Sequence, residues 1–174
     1  AAALYQRKLF TQIFLARPIV PLANRDLGFL PGDVKEKIDP YMQPLMDNLS
    51  VIKHKFSQQS PEFTKIDDML KNEKLVITPL AYIRGRSLSR VFFIVDEAQN
   101  LTAKQMKALI TRAGPGTKLV CLGNVAQIDT PYLTETTSGL TYVVNRFRGW
   151  EHAGHITLKR GERSRLADHA SDIL

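Results

Sequence analysis

Apolar residues along this chain fall into short runs, separated by stretches whose apolar positions repeat at helical spacing. Gln12-Ile13-Phe14-Leu15-Ala16, ended by Arg17-Pro18, reads as a strand, and Leu75-Val76-Ile77-Thr78, ended by Pro79, as a second. Val91-Phe92-Phe93-Ile94-Val95 is a third, Lys118-Leu119-Val120-Cys121-Leu122 a fourth and His155-Ile156-Thr157-Leu158 a fifth. The third and fourth are apolar at successive positions, so both of their faces must be covered, as in a parallel sheet flanked by helices. Behind Asp33, a candidate cap, Val34, Ile38, Tyr41, Met42, Leu45, Met46 and Leu49 keep helical spacing. Pro40 predicts a break or a restart within that helix. Thr102 followed by Gln105 is a capping-box pattern. Met106, Leu109, Ile110 and Ala113 then form one apolar stripe, stopped by Gly114-Pro115-Gly116. Strands alternating with helices predict an α/β fold with a parallel sheet and right-handed crossovers.

Length and composition narrow the reading. The chain has 174 residues, enough for one domain with its own core, and a single domain over 1–174 is expected. Residues 53–74, rich in lysine and poor in strong apolar anchors, read as a surface insertion. Ala1-Ala2-Ala3-Leu4 has no capping residue before it and reads as the middle of a helix. The lone cysteine, Cys121, can form no internal disulfide, which suits a reducing, cytoplasmic setting. No apolar run approaches the ~20 residues that span a bilayer, and no signal-peptide pattern opens the chain, so no membrane association is expected. A formal charge of +7 and a pI near 9.6 suit a polyanionic partner such as nucleic acid or nucleotide.

The candidate chemistry lies where the strands end. Asp96 and Glu97 close the third strand, and ligands of open α/β sheets sit at the carboxyl ends of strands. In P-loop nucleotide hydrolases the first such acid holds Mg²⁺ against the β- and γ-phosphates, and the second can orient or deprotonate the attacking water. A strand followed by an ordinary charged turn has the same look. The fourth strand leads into Gly123-Asn124-Val125-Ala126-Gln127, whose terminal amide can donate to phosphate and accept from water. Lys159-Arg160-Gly161-Glu162-Arg163-Ser164-Arg165 offers guanidinium groups suited to phosphoryl-transfer charge, or a solvated basic turn. Arg84-Gly85-Arg86-Ser87, with Arg90 nearby, is a second basic loop, in which glycine permits close backbone approach to phosphates; a solubilising loop is the alternative. Arg146, Phe147, Arg148 and Trp150 interleave stacking and phosphate-binding types, though such aromatics are more often core or interface. His54, His152, His155 and His169 show no metal-ligand spacing, and Cys121 reads as an inert strand thiol.

Several longer motifs belong together. They are Ala16-Arg17-Pro18-Ile19-Val20, Gly28-Phe29-Leu30-Pro31-Gly32, Pro40-Tyr41-Met42-Gln43-Pro44 and Tyr82-Ile83-Arg84-Gly85-Arg86-Ser87. Downstream come Val95-Asp96-Glu97-Ala98-Gln99-Asn100, Gln127-Ile128-Asp129-Thr130-Pro131-Tyr132, Ser138-Gly139-Leu140-Thr141-Tyr142 and Gly161-Glu162-Arg163-Ser164. With these motifs nearly the whole chain resembles the PhoH-like ATPases, in the bacterial form whose ATPase domain follows a PIN ribonuclease-type domain. That family's name connects it with phosphate starvation. The resemblance implies a RecA-like P-loop NTPase core similar to superfamily 1 helicases, with ATP and Mg²⁺ as cofactors. It makes Asp96 and Glu97 the Walker B pair, Asp96 on Mg²⁺ and Glu97 catalytic. It makes Gln127 the phosphate-sensing glutamine. Arg163, following the final strand at the start of a helix, is expected to act on the γ-phosphate, and Arg17 and the Gly-flanked pair Arg84 and Arg86 are expected on RNA. The resemblance also implies an RNA-acting, helicase-like protein that binds single-stranded RNA as a homo-oligomeric ring, such as a hexamer.

Two departures stand out. Asn124 replaces the aspartate of the Gly-Asp-x-x-Gln form usual in such helicases. The Gly-x-x-x-x-Gly-Lys-Thr/Ser loop is absent, so the chain looks like a fragment that begins just after it, and is expected not to turn over ATP by itself. The rival expectation is a non-catalytic nucleic-acid-binding or oligomerisation module.

Overall fold

The computed structural model describes residues 8–20, 34–83, 88–159 and 164–173. The chain divides into two compact units, Ala1–Val143 and Val144–Leu174. In the first, four strands form one sheet: β1 (Gln12–Arg17), β2 (Leu75–Pro79), β3 (Val91–Val95) and β4 (Lys118–Cys121). Their order is β2-β1-β3-β4, and every pairing is parallel. Phe14 lies in register with Val76 on one side and Phe93 on the other, and Val95 with Ala16 and Cys121. The α/β class and the parallel sheet expected from the runs are what the chain forms.

Of the two runs expected to be covered on both faces, β3 is; β4 is only half-buried over Leu119–Cys121, and Leu122 after it is exposed. On one face Phe14, Ala16, Val91, Phe93 and Val95 pack with Leu88, Leu101, Met106 and Leu109. Met106 and Leu109 belong to α3 (Ala103–Ile110), whose first turn has the expected capping box. Thr102 Oγ1 accepts from the Gln105 N–H at 3.2 Å, and the Thr102 N–H donates to Gln105 Oε1 at 2.8 Å. On the opposite face α1 (Val34–Lys53) sets Met42 and Leu45 against Leu15, Ile19 and Ile77. There α2 (Pro61–Lys71), capped by Ser60, sets Met69 beside Ile13, Phe92 and Ile94. Each such side chain, fully buried, contributes about 1.5–3 kcal/mol. The lysine-rich stretch 53–74 thus carries α2 and one buried anchor, Met69.

Two expectations are corrected. The helix neither breaks nor restarts at Pro40: α1 runs through both Pro40 and Pro44. The two prolines are exposed while Met42 and Leu45 are buried. The backbone bonds they forfeit therefore face water, which can serve the freed carbonyls. The fifth strand, residues 155–158, does not form. This segment of the second unit is exposed coil, with Ile156 and Leu158 82% and 86% exposed. A strand exists only through its ladder, and among the described residues the sheet has four members, none of which pairs with this segment.

The second unit also holds an aromatic chain, Phe147 to Trp150 at 5.5 Å and Trp150 to His152 at 5.2 Å, both edge-to-face. It ends in a helix, Arg165–Ile173. Asp33, the Ala1–Leu4 segment and the Gly28-to-Gly32 motif lie outside the described residues. None of the described helices is long and apolar enough to cross a membrane.

Candidate nucleotide site

Parallel pairing continues past the ends of β3 and β4 and holds the chain where β3 gives way to its turn. The Asp96 N–H donates to the Ala16 carbonyl at 2.8 Å, the Leu122 N–H to Val95 at 2.8 Å, and the Ala98 N–H to Leu122 at 2.8 Å. The chain then turns sharply at Glu97, which sits in the left-handed region at φ 53° and ψ 36°. A non-glycine residue there stores strain and persists only where its surroundings over-determine it, a feature common at functional sites. Ala98–Asn100 follows as a single 3-10 turn, with all three residues buried.

Both carboxylate oxygens of Glu97 are engaged. Oε1 accepts from Arg17 Nη2 at 3.1 Å in a half-exposed ion pair that joins the ends of β1 and β3. Oε2 accepts from Gln99 Nε2 at 2.5 Å. Asp96 is only partly exposed, and its pKa is raised above 3.8. Burial is the main cause, followed by the neighbouring Glu97 charge; Arg17 and the Glu97 backbone N–H oppose the shift. Among the described residues no cluster of three or more His, Cys, Asp or Glu could hold a metal ion. Burial pushes the Cys121 thiol up to about 11, so it is protonated at neutral pH and inert as a nucleophile.

The loop after β4 is fastened to this turn by two buried side chains. Gln99, with no exposed surface, donates a second bond to the Gln127 carbonyl at 2.8 Å and accepts from the Asn124 N–H at 3.3 Å. Asn100 Oδ1 accepts from the N–H groups of Asp129 at 2.8 Å and Thr130 at 3.1 Å, and Thr130 Oγ1 returns a bond to the Asn100 carbonyl at 2.9 Å. Buried Ser138 donates to the Gln99 carbonyl at 2.8 Å, and the Gly139 N–H donates to Leu101 at 2.7 Å, at the start of α4 (Gly139–Phe147).

The structure thus brings together Asp96, Glu97, Arg17 and the backbone of Gln127, four residues singled out from the sequence. Gln127 itself is exposed on its loop. Arg84, Arg86 and Arg163 lie outside the described residues. Gln99, Asn100 and Ser138 had stood only as letters of longer motifs. The one signal for Gln99 and Asn100 is a polar pair between Ala98 and Leu101 just past a buried strand; Ser138, in a polar Thr-rich segment, has none.

Acids at the carboxyl end of a central parallel strand, with an amide-bearing loop beside them, define the class: an α/β fold of P-loop NTPase type. The PhoH-like protein family matches residues 1–173. The chain is 44% identical to Protein PhoH2 of Bacillus subtilis (strain 168) over 178 residues, covering 100% of this chain and 39% of that protein. It is 47% identical to the PhoH-like protein of Mycobacterium tuberculosis (strain ATCC 25618 / H37Rv) over 126 residues, 72% of this chain and 33% of that one. It is 33% identical to Protein PhoH2 of Mycolicibacterium smegmatis (strain ATCC 700084 / mc(2)155) over 172 residues, 99% of this chain and 37% of that one. The chain therefore belongs to the PhoH-like protein family. It spans 39% or less of the length of these relatives.

Proposed function

We propose that this chain supplies the water-activating part of an ATP-hydrolysing site in an RNA-associated, cytoplasmic protein. The observation that carries the reading is the Asp96–Glu97 pair, held at the carboxyl end of β3 with the Glu97 carboxylate clamped between Arg17 and Gln99. The donors suit Mg²⁺, a hard cation that takes oxygen ligands and usually keeps one or two carboxylates plus phosphate and water. Ionised Asp96 is disfavoured by burial and by Glu97, and a cation beside it offsets both. When bound with ATP, Mg²⁺ neutralises charge on the β- and γ-phosphates.

In this reading Asp96 is the metal-side ligand. Glu97 accepts a proton from the attacking water as the new oxygen–phosphorus bond forms, and the bond from the γ-phosphorus to the ADP oxygen breaks. Gln127, on a loop tied to the same turn, donates its amide to a γ-phosphate oxygen. Arg163 adds its charge to that phosphate, from the same or a neighbouring subunit of a homo-oligomeric ring. Arg84 and Arg86 hold single-stranded RNA through its phosphates, supported by the +7 charge. Arg17, expected on RNA, has Glu97 as its partner here through one guanidinium nitrogen, which leaves its other N–H groups for a phosphate. Holding the β- and γ-phosphates also takes a phosphate loop, which these 174 residues do not contain.

The non-catalytic alternative rests on one observation, the absence of a Gly-x-x-x-x-Gly-Lys-Ser/Thr loop from these 174 residues. A longer form that carries such a loop separates the two. There Glu97→Gln is expected to keep nucleotide binding and slow hydrolysis by about 10²–10⁴, the usual worth of a positioned base. Turnover within about threefold of the parent overturns the assignment.

A further inference from the structure

Gln99 has a bonding pattern that a space-filling core residue does not need. A primary amide offers two N–H donors and one carbonyl acceptor. In Gln99 the two donors go to the Glu97 carboxylate and the Gln127 carbonyl, and the acceptor takes the Asn124 N–H. All of these partners belong to the turn after β3 and the loop after β4. Turning the amide over would set its oxygen against a carboxylate and a carbonyl, and its NH₂ against an N–H. The chemistry of the partners therefore fixes its orientation. The residue has no exposed surface, and its own carbonyl is held by Ser138 Oγ at 2.8 Å.

Space is reserved for it as well. A Cβ on Gly123 would lie 2.6 Å from Gln99 Oε1 and 3.0 Å from the Gln99 nitrogen. Glycine at the exit of β4 is what lets the amide lie flat against the loop.

We propose that Gln99 is a positioning residue: one buried amide sets the Glu97 carboxylate and the Gln127 loop at a fixed separation. The proposal rests on the hydrolytic reading of the site. Its content is that the group facing the water and the group facing the phosphate do not move independently. Movement of the Gln127 loop is passed to the Glu97 carboxylate through the Gln99 side chain. Glu97 is also held by Arg17 from the other side, so a Gln99 variant leaves the carboxylate present but free to swing about that one contact. Misplacement of a reacting group by about 1 Å can cost about 10²-fold in rate.

The test uses the longer form that carries the phosphate loop. Gln99→Met keeps the length and removes both donors and the acceptor; Gln99→Glu keeps an acceptor but sets a carboxylate against Glu97. Both are expected to lower kcat by about 10²-fold while KM for ATP stays within about threefold. Placed on Glu97→Gln, Gln99→Met is expected to add less than about threefold, because the group it positions is already gone. A second measurement needs no change at Gln99: in Glu97→Gln, NMR should show shifted side-chain amide protons of Gln99 and shifted backbone amides of Asn124 and Gln127.

If Gln99→Met keeps kcat within about threefold while Glu97→Gln is inactive, the positioning role is refuted and the hydrolytic reading stands. If Glu97→Gln is itself fully active, the hydrolytic reading fails, and the NMR shifts then decide alone whether Gln99 links the two segments. Shifts that stop at Ala98 and spare residues 124–127 refute the link, and they decide the matter also if the Gln99 variants do not fold.

Discussion

Gly123→Ala puts the packing around Gln99 to a stability test. Gly123 is exposed at the exit of β4, where burial alone would predict a harmless substitution. Its neighbours say otherwise. The new methyl would lie 2.6 Å from Gln99 Oε1, 2.8 Å from Leu140 Cδ2 and 3.0 Å from the Gln99 nitrogen. Leu140 can rotate away. Gln99 Oε1 cannot do so freely, because the same amide is tied to Glu97, Gln127 and Asn124. The Gln99 nitrogen is backbone. Overpacking of this kind costs about 1–3 kcal/mol. In a chain of this size each kcal/mol lowers Tm by about 2–4 °C, so a fall of about 2–12 °C is expected in thermal unfolding followed by circular dichroism. Two other glycines calibrate the result. At Gly139 a Cβ would meet Thr102 O at 2.6 Å, Leu101 O at 2.7 Å and the Thr102 carbonyl carbon at 2.7 Å, all backbone, so Gly139→Ala should melt lower still. At Gly154 a Cβ meets nothing within 4 Å, and Gly154→Ala should melt within about 1 °C of the parent. If Gly123→Ala melts like Gly154→Ala, the amide is not confined as described and the reasoning fails.

Three further outcomes are expected. The raised pKa of Asp96 means that the folded chain binds this proton more tightly than the unfolded chain; stability from protonation is present at low pH and lost as pH rises through the raised value. Asp96→Asn should therefore raise Tm at pH 7, by a margin that shrinks as the pH falls toward 3.8; an unchanged Tm at pH 7 contradicts it. Replacing Arg84 and Arg86 together with Ala should weaken single-stranded RNA binding with little sequence dependence and make the slope of log K against log salt shallower by about 0.7 per lost contact; an unchanged slope moves these arginines elsewhere. Mixing Arg163→Ala with Glu97→Gln subunits of the intact protein should restore activity above either variant if the arginine acts across a subunit boundary, and mixed oligomers with no recovery exclude that arrangement.

What could be read locally was read from the chain directly. Four of the five apolar runs became strands within a residue of the expected ends, because a short apolar run bounded by turn-forming or charged residues is a local signal. The Thr102–Gln105 box needs only residues three apart, and it formed as expected. The acids after β3 were visible because the strand that delivers them is contiguous with them. Residues 155–158 have a composition that suits a strand, but a strand is defined by a neighbour, and composition cannot supply one. Pro40 is similar, since its cost depends on which side of the helix faces water.

Sequence by itself determined four strands, the Thr102–Gln105 cap, the positive charge and the place of Asp96 and Glu97 at a strand end, all properties of neighbouring residues. Tertiary structure decided who holds those acids. Arg17 meets Glu97 from a different strand, Gln99 reaches the loop after β4, and Asn100 fastens residues 129 and 130. Each of these contacts joins segments far apart in the chain, where no periodicity relates one partner to the other. Only the register of the parallel sheet, which lines up the carboxyl ends of β1, β3 and β4, brings them within bonding distance.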